Sequence, residues 1–321
     1  MFAAVVTSFD RPPVYQEFPT PVATESQILV DVLGSAIHPR VRSQADGSHY
    51  TSTEDLPLIP GIDGVARDAE GNLRYFILPD TTLGAMAEQT LIDPRRSVVL
   101  PDDIDPVVVA AAMNPAMSSW IALTRRIDFE AGSRVLVLGA TGNAGRMAVQ
   151  IAKRLGASHV TAAGRNLTKL QALLSRGADS IVDLGQDEDA VKRDLAEAGK
   201  NVDVVIDYLW GETMAKALSA IAPARLDDSQ KLTWIEIGSI TGPEAAIPSA
   251  ALRACNLHIV GSGQGSVSPR DILAELPGLA IEVMTGDYDI AARAVALPDV
   301  TAAWAEASAT DERLVITPTA L

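Results

Sequence analysis

The chain has 321 residues, 47% hydrophobic and 21% charged, which is the composition of a folded globular protein long enough for two domains. One large α/β barrel would also fit this length. With 26 basic and 41 acidic residues the net charge is −15, which argues against nucleic acid or an anionic membrane as a partner. The single cysteine, Cys255, excludes an intrachain disulfide and a cysteine-based zinc site.

The N-terminus lacks the basic and apolar regions of a signal peptide, and no later apolar run approaches the length of a membrane span. We therefore expect a cytoplasmic protein. The first hundred residues predict short strands at FAAVVTSF, QILVDVLGSAI, AEQTLID and SVVL, separated by proline and glycine turns, and they predict no helix.

Alanine-rich helices are predicted between residues 101 and 127, with a break at Asn114-Pro115. From Arg134 to Gly261 apolar strands alternate with amphipathic helices, which indicates a parallel sheet covered on both faces. The predicted strands are RVLVLG, HVTAAG, SIVDL, DVVIDYL, LTWIEIG and LHIVGS. Beyond them we predict a helix at SPRDILAELPGLAIEVMTGD, another near DVTAAWAEAS and a final strand, RLVITP.

A glycine turn joins the first of these strands to its helix. Gly139, Gly142 and Gly145 form G-x-x-G-x-x-G at this junction, where positive φ and absent Cβ atoms allow the backbone to approach a pyrophosphate. A helix beginning near Asn143 would direct its N–H groups and its dipole at that anion. The alternatives are a purely structural turn, or a phosphate loop, which the Arg146-Met147 step disfavours because Lys-Ser or Lys-Thr is expected there.

The end of the second strand distinguishes the two nicotinamide cofactors. An NAD site places an acid there to bind the ribose 2′-hydroxyl, whereas this chain has Gly164, Arg165 and Asn166. A guanidinium suits a 2′-phosphate, with Asn166 and Lys169 as helpers. NADPH is therefore the predicted cofactor, and a solvated surface role for Arg165 is the alternative.

The arrangement resembles the medium-chain dehydrogenase/reductase superfamily, in particular its zinc-independent quinone oxidoreductase and enoyl reductase branch. Atypical short-chain reductases also carry G-A-T-G-x-x-G, but near their N-terminus. His38, Ser118 and Trp210 depart from the family pattern. The segments that carry the resemblance are SAIHPRVRSQADGSHY, LPLIPGIDGVA, LGAMAEQTLID, AMSSWIAL, VDVVIDYLWGE and WIEIGSITG.

The resemblance implies a doubly wound parallel α/β sheet of Rossmann type, at residues 114–266, that binds NADP. It also implies a β-rich, GroES-like catalytic domain at residues 1–113 and 267–321, to which the last strand returns. A homodimer is implied, with NLHIVGSG as its seam. The cofactor-binding residues expected from the motifs and the resemblance are Gly139, Thr141, Gly142, Asn143, Ala144, Gly164, Arg165, Asn166, Lys169, Tyr208, Gly238 and Ser239.

A metal site is not predicted. Zinc enzymes of the superfamily have a His-Glu pair where this chain has Ile62-Asp63, and no cysteine precedes Cys255. His38, His49 and Asp63 would form another site only by a coincidence of folding.

Without a metal to polarise a carbonyl, a quinone or an activated C=C bond is the more suitable hydride acceptor. Its oxygen then needs only a hydrogen-bond donor, and Tyr50, His38 and Ser118 are the predicted catalytic candidates, with His49 beside them. The predicted function is an NADPH-dependent oxidoreductase that transfers hydride to a quinone or to the C=C bond of an α,β-unsaturated carbonyl, without zinc. The alternative is a non-catalytic NADPH-binding redox sensor or partner-docking protein.

Overall fold

The computed structural model describes residues 1–286 and 288–318 of the chain. The chain folds into two compact units, a first unit of Met1–Asn114 with Leu273–Leu321 and a second unit of Pro115–Ile272. The domain divisions expected from the sequence, after residues 113 and 266, lie one and six residues from these.

The strands, in chain order, are β1 (Phe2–Val5), β2 (Val14–Glu17), β3 (Ile28–Ala36), β4 (Asp63–Arg67), β5 (Leu73–Ile77), β6 (Gln89–Ile92), β7 (Ser97–Leu100), β8 (Arg134–Leu138), β9 (His159–Gly164), β10 (Ser180–Asp183), β11 (Val204–Asp207), β12 (Leu232–Glu236), β13 (Leu257–Gly261), β14 (Ala292–Ala296) and β15 (Arg313–Thr317). The helices are α1 (Pro39–Ala45), α2 (Pro106–Ile121), α3 (Asn143–Arg154), α4 (Leu167–Leu173), α5 (Glu188–Gly199), α6 (Gly211–Ile221), α7 (Ala251–Ala254), α8 (Pro269–Thr285) and α9 (Val300–Glu306).

The first unit is built on a sheet in the order β14-β15-β3-β4-β5-β7, with β6 also paired to β3, and on the separate hairpin β1-β2. Its pairs are antiparallel except β14 with β15. The predicted return of the last strand to this unit is confirmed, because Val315 of β15 lies opposite Ala36 of β3. Residues of β1, α1, α9 and β15 pack together in one apolar core of this unit.

The second unit contains a parallel sheet in the order β10-β9-β8-β11-β12-β13. The strands predicted for this region are all present. The apolar residues of the four inner strands β9, β8, β11 and β12 are buried, because helices cover both faces there. The edge strands β10 and β13 are only partly buried. The strand order reverses between β8 and β11. Right-handed connections therefore place α3 and α4 on one face and α5 and α6 on the other, so that a crevice opens at the carboxyl ends of these two strands.

Two predictions about helices were wrong. Helix α1 lies within the first hundred residues, where none was expected; Pro39 occupies its first turn, a position where the missing proline N–H costs nothing. The break predicted at Asn114-Pro115 does not occur, because α2 continues through Pro115. Met113 and Ala116, on either side of the proline, are fully buried, and this packing outweighs the lost hydrogen bond.

The expectation about apolar length was also incomplete. The helical stretch Pro106–Arg126 is long and apolar enough to cross a membrane by length and composition. The stretch contains a few polar residues, such as Asn114 and Ser118, and is therefore not an uninterrupted apolar run. Its most apolar window is 67% buried inside the protein, which is the property of a core helix.

Candidate functional site

Glycine occupies each of the three positions of the turn after β8 for a different structural reason. Gly139 adopts a φ of +87°, which disfavours any side chain. A Cβ on Gly145 would lie 2.2 Å from the carbonyl oxygen of Gly139, so glycine is required there for α3 to pack on the turn. Gly142 has an ordinary φ of −82°, and a Cβ there would meet no protein atom closer than 3.6 Å.

Gly142 is therefore not explained by backbone conformation or by packing within the protein. The strained φ that the sequence suggested for this position is absent. The space that a side chain would fill lies open at the N-terminus of α3, which is where a pyrophosphate would need it.

The first backbone amides of α3 are available to an anion. The N–H groups of Asn143, Ala144 and Gly145 have no acceptor within the residues that the structure describes, and Gly142 makes no side-chain cap. Helix α3 has no acidic residue in its first turn. Unengaged N–H groups and the positive end of the helix dipole together form an anion-binding cradle. The residues present thus fit the diphosphate of a nicotinamide cofactor.

The end of β9 lies against this turn, since a Cβ on Gly164 would approach Thr141 Cγ2 to 2.6 Å. Arg165 and Asn166 follow it and are exposed. The Asn166 side chain caps α4 by accepting a hydrogen bond from the Lys169 N–H at 3.1 Å. The Arg165 guanidinium has no hydrogen bond or ion pair within residues 1–286 and 288–318, so it can turn toward a phosphate without losing a contact.

The loop after β11 forms the other wall of the crevice. A Cβ on Gly139 would lie 3.2 Å from Tyr208 Cβ, so the two loops are in close contact. Trp210 has φ 52° and ψ −153°, and it is the one non-glycine residue with positive φ in the described part of the chain. A conformation that is almost restricted to glycine costs about 1–3 kcal/mol when another residue adopts it.

Two neighbours hold Trp210 in this conformation. The fully buried carboxylate of Asp207 accepts hydrogen bonds from the Leu209 and Trp210 N–H groups at 2.8 and 3.0 Å and from Trp234 Nε1 at 2.9 Å. Burial raises the pKa of Asp207, although these donors oppose the shift. From the other side, the Thr241 hydroxyl donates to the Trp210 carbonyl at 2.7 Å.

The loop after β12 completes the described part of the crevice. Gly238 packs beside Tyr208, where a Cβ would lie 3.4 Å from the Tyr208 carbonyl oxygen. Ser239 is exposed, and its carbonyl accepts from the Gly242 N–H at 3.1 Å. The predicted cofactor residues, which follow β8, β9, β11 and β12, therefore gather at the carboxyl edge of the sheet.

Ser118 and Tyr208 form a hydrogen-bonded pair that the sequence did not predict. Their hydroxyl oxygens are 2.8 Å apart, and the Ser118 hydroxyl also donates to the Pro115 carbonyl at 2.8 Å. Because the serine has a single proton, the tyrosine hydroxyl is the donor to Ser118. Burial raises the pKa of Tyr208 to about 12, so this proton stays on the phenol.

His38 belongs to a buried cluster in the first unit, which we call the Asp63 cluster and which comprises His38, Asp63 and Tyr75. Asp63 accepts from Tyr75 OH at 2.8 Å and lies 3.0 Å from His38 Nε2. A carboxylate only accepts, so Nε2 carries the imidazole proton. His38 Nδ1 is buried without a partner in the described residues. Burial lowers the pKa of His38, and burial with the adjacent carboxylate raises that of Tyr75.

Tyr50 and His49 lie on the turn that follows α1, with their rings stacked 4.2 Å apart. Tyr50 is 72% exposed. His49 Nδ1 is 2.9 Å from Thr51 Oγ1, and burial lowers the pKa of His49 to about 4. His38 and Asp63 are thus in contact, whereas His49 contacts Thr51 and Tyr50. Among the described residues, no group of three or more His, Cys, Asp or Glu side chains is arranged to hold a metal ion.

Comparison with known proteins agrees with this architecture. Residues 144–277 match the family model described as zinc-binding dehydrogenase. A protein of Emericella nidulans described as a "probable NADPH-dependent quinone reductase" is 31% identical over 99% of this chain and 100% of its own length. An NADPH-dependent alkenal/one oxidoreductase of Arabidopsis thaliana is 27% identical over 59% of this chain and 51% of its own length.

Among solved structures, the quinone oxidoreductase of Thermus thermophilus has the same fold. Its TM-score is 0.81, with 22% identity over 99% of this chain and 100% of that one. The fold and the glycine turn define an oxidoreductase with a nucleotide-binding Rossmann unit. The chain belongs to the medium-chain dehydrogenase/reductase superfamily, in its quinone reductase branch.

Proposed function

We propose that the protein is an NADPH-dependent oxidoreductase that reduces a quinone, or the C=C bond of an α,β-unsaturated carbonyl compound, without zinc. The proposal is carried by one observation, the open cradle at the start of α3. There, Gly142 leaves space that no protein atom fills, and three backbone N–H groups have no acceptor within the described residues. Relatives named for NADPH, quinones and alkenals support the same chemistry.

The preference for NADPH rests on the end of β9. Arg165 is exposed and has no ion-pair partner in the described part of the chain, and no acid follows Gly164. A guanidinium in this position binds a 2′-phosphate, whereas NAD sites use an acid to bind the 2′-hydroxyl.

The bound cofactor supplies the hydride, and the protein has to supply a proton or a hydrogen bond to the acceptor oxygen. The three candidates differ in their exposure to solvent. His38 is buried, Ser118 is partly buried, and Tyr50 is 72% exposed. We therefore favour Tyr50, whose side chain is the most accessible of the three to a bound acceptor.

The absence of zinc is proposed from the chemistry of the donor set. Ile62 stands where zinc enzymes of the superfamily have histidine, and the neighbouring Asp63 already accepts hydrogen bonds from Tyr75 and His38. Zinc needs at least three protein ligands, and among the described residues no further His, Cys, Asp or Glu side chain joins His38 and Asp63 in such a group.

The test is an assay of NADPH oxidation with a panel of quinones, enones, enals and enoyl thioesters. Turnover of a quinone or a conjugated carbonyl is expected, unchanged by chelators, together with a metal analysis far below one zinc per chain. Tight NADPH binding without turnover of any acceptor would contradict the enzymatic proposal and favour a redox sensor. Zinc lost together with activity would contradict the zinc-independent part.

A further inference from the structure

Arg146 lies in the first turn of α3, directly after the glycine turn, in an unfavourable electrostatic position. The N-terminus of a helix carries partial positive charge, so a cation there is repelled. No acidic residue occurs in this turn, and Arg146 has no ion-pair partner among the described residues. An uncompensated guanidinium beside an open anion cradle lacks a structural reason within the protein itself.

The side chain of Arg146 is nevertheless restrained. Its Nη2 donates to Asn143 Oδ1 at 2.5 Å, which holds the guanidinium over the first turn of the helix. Its Nε is buried and has no hydrogen-bond partner in residues 1–286 and 288–318. A buried donor without an acceptor is costly, and a bound anion would reduce that cost.

The position of Arg146 on α3 shows toward which strands of the sheet its helix face is directed. Arg146 and Lys153 are seven residues apart and therefore share a helix face. Lys153 pairs with Asp179, just before β10, at 2.9 Å, and a Cβ on Gly177 would lie 3.2 Å from Lys153 Cβ. This face is directed toward β9 and β10, the side on which Arg165 follows its strand.

We propose that Arg146 is a second cationic ligand of the cofactor's phosphate groups, positioned by Asn143. The proposal rests on the proposed use of NADPH. The shared chemistry is a phosphate oxygen, which belongs either to the pyrophosphate over the glycine turn or to the 2′-phosphate beside Arg165. In both cases the anion removes the repulsion between Arg146 and the helix terminus.

The experiment measures binding of NADPH, NADH, 2′,5′-ADP and 5′-AMP by titration calorimetry. Arg146→Gln should lower the affinity for NADPH by about ten- to a hundredfold. An equal loss for NADH assigns the contact to the pyrophosphate, and a loss confined to NADPH and 2′,5′-ADP assigns it to the 2′-phosphate. Arg193→Gln, the same change at an exposed position of α5, is the matched control and should leave all four affinities unchanged.

A melting curve without nucleotide separates this role from a structural one. Removal of a cation from the helix N-terminus should leave the melting temperature of the free protein unchanged or higher, while the rise induced by NADPH becomes smaller. The inference is overturned if Arg146→Gln binds every nucleotide within about twofold of wild type, or if it lowers the melting temperature without changing affinity. Wild-type protein that binds none of the nucleotides would instead contradict the proposed function.

Discussion

The glycine turn after β8 and the Asp63 cluster are both polar regions at the ends of strands, but they differ in what their polar groups contact. In the turn, three N–H groups have no acceptor within the described residues, and Gly142 leaves open space. In the cluster, Asp63 accepts from both of its neighbours, and all three side chains are nearly inaccessible to solvent. Unsatisfied groups at an open edge indicate a ligand, whereas satisfied groups in a core indicate a structural role.

This difference changes how the family motifs of the two regions are interpreted. His38 and Asp63 lie in segments that resemble the family's catalytic unit, yet the Asp63 cluster already satisfies the donors and acceptors that such residues would offer a substrate, apart from His38 Nδ1. We therefore expect changes in the cluster to affect stability first, and changes in the turn to affect binding first.

The largest effect is expected in the cluster. Asp63→Ala would leave the Tyr75 hydroxyl and the His38 N–H as buried donors without an acceptor, at a cost of about 2–5 kcal/mol in the free energy of unfolding. Urea denaturation would measure the loss. If the folded variant instead lost activity at unchanged stability, the structural interpretation of the cluster would be wrong.

The turn should show the opposite behaviour. Gly142→Val places a side chain in the open cradle and should lower the affinity for NADPH by about a hundredfold or more, equivalent to about 3 kcal/mol. The stability of the folded protein should change little. Gly145→Val is the matched contrast, because its Cβ would meet the Gly139 carbonyl oxygen at 2.2 Å. That variant should lose at least about 1–3 kcal/mol of stability. Fluorescence titration and thermal melting of both variants separate the two roles, and unchanged affinity in Gly142→Val would refute the cradle.

Arg165→Ala tests the ribose side of the turn. Loss of a charge-assisted hydrogen bond to a 2′-phosphate should cost about 1.5–3 kcal/mol, which is about ten- to more than a hundredfold in affinity for NADPH. NADH should be almost unaffected, and the maximal rate at saturating cofactor should persist. Michaelis constants for both cofactors in both proteins provide the measurement; a wild-type preference for NADH would contradict the assignment.

A smaller effect is expected in the loop that faces the turn. Trp210→Gly removes both the indole and the backbone strain, whereas Trp210→Ala removes the indole and retains the positive φ of 52°. The glycine variant should therefore be more stable than the alanine variant by about 1–3 kcal/mol. Equal stability of the two variants in chemical denaturation would show that Asp207 and Thr241 do not hold a strained residue.

The smallest effect is a pH dependence that originates in the cluster. The pKa of His38 is lower in the folded protein than the ordinary value of 6.5. Below that value the unfolded chain binds more protons than the folded one, so this contribution to stability is lost as the pH falls, with a slope of at most about 1.4 kcal/mol per pH unit. His38→Asn should have a shallower slope between pH 7 and 5. His49, whose lowered pKa acts in the same direction, is present in both proteins and cancels in the comparison.

The sequence predicted the second unit well because each of its signals is local. Strands β8 to β13 are apolar runs, and the glycine turn has its strand before it and its helix after it. Two short elements of the first unit were not predicted, because their local sequence signals are weak and tertiary packing determines their structure. Helix α1 is only seven residues long, and β14, with the sequence ARAVA, lacks both the alternation and the bulky side chains of a typical strand. Burial of α2 outweighed the helix-breaking tendency of Pro115.

The contacts of the candidate site were less accessible from sequence. His38, Asp63 and Tyr75 meet because β3, β4 and β5 are neighbours in the sheet, and Ser118 is 90 positions from Tyr208. Spacing along the chain carries no information on such contacts. Arg146 did have a local signal, since a cation without a neighbouring acid in the first turn of a helix opposes the dipole.

Trp210 has a consequence for the genetics of this protein. The tryptophan codon becomes a glycine codon by a single base change, so relief of the unusual backbone conformation is one mutation away. A library selected only for survival after heating should therefore return glycine at position 210 more often than alanine, which requires more than one base change. A library selected for turnover should keep the indole if the side chain contributes to the crevice. The ratio of tryptophan to glycine at position 210 in the two selections would therefore measure what the aromatic ring contributes to turnover.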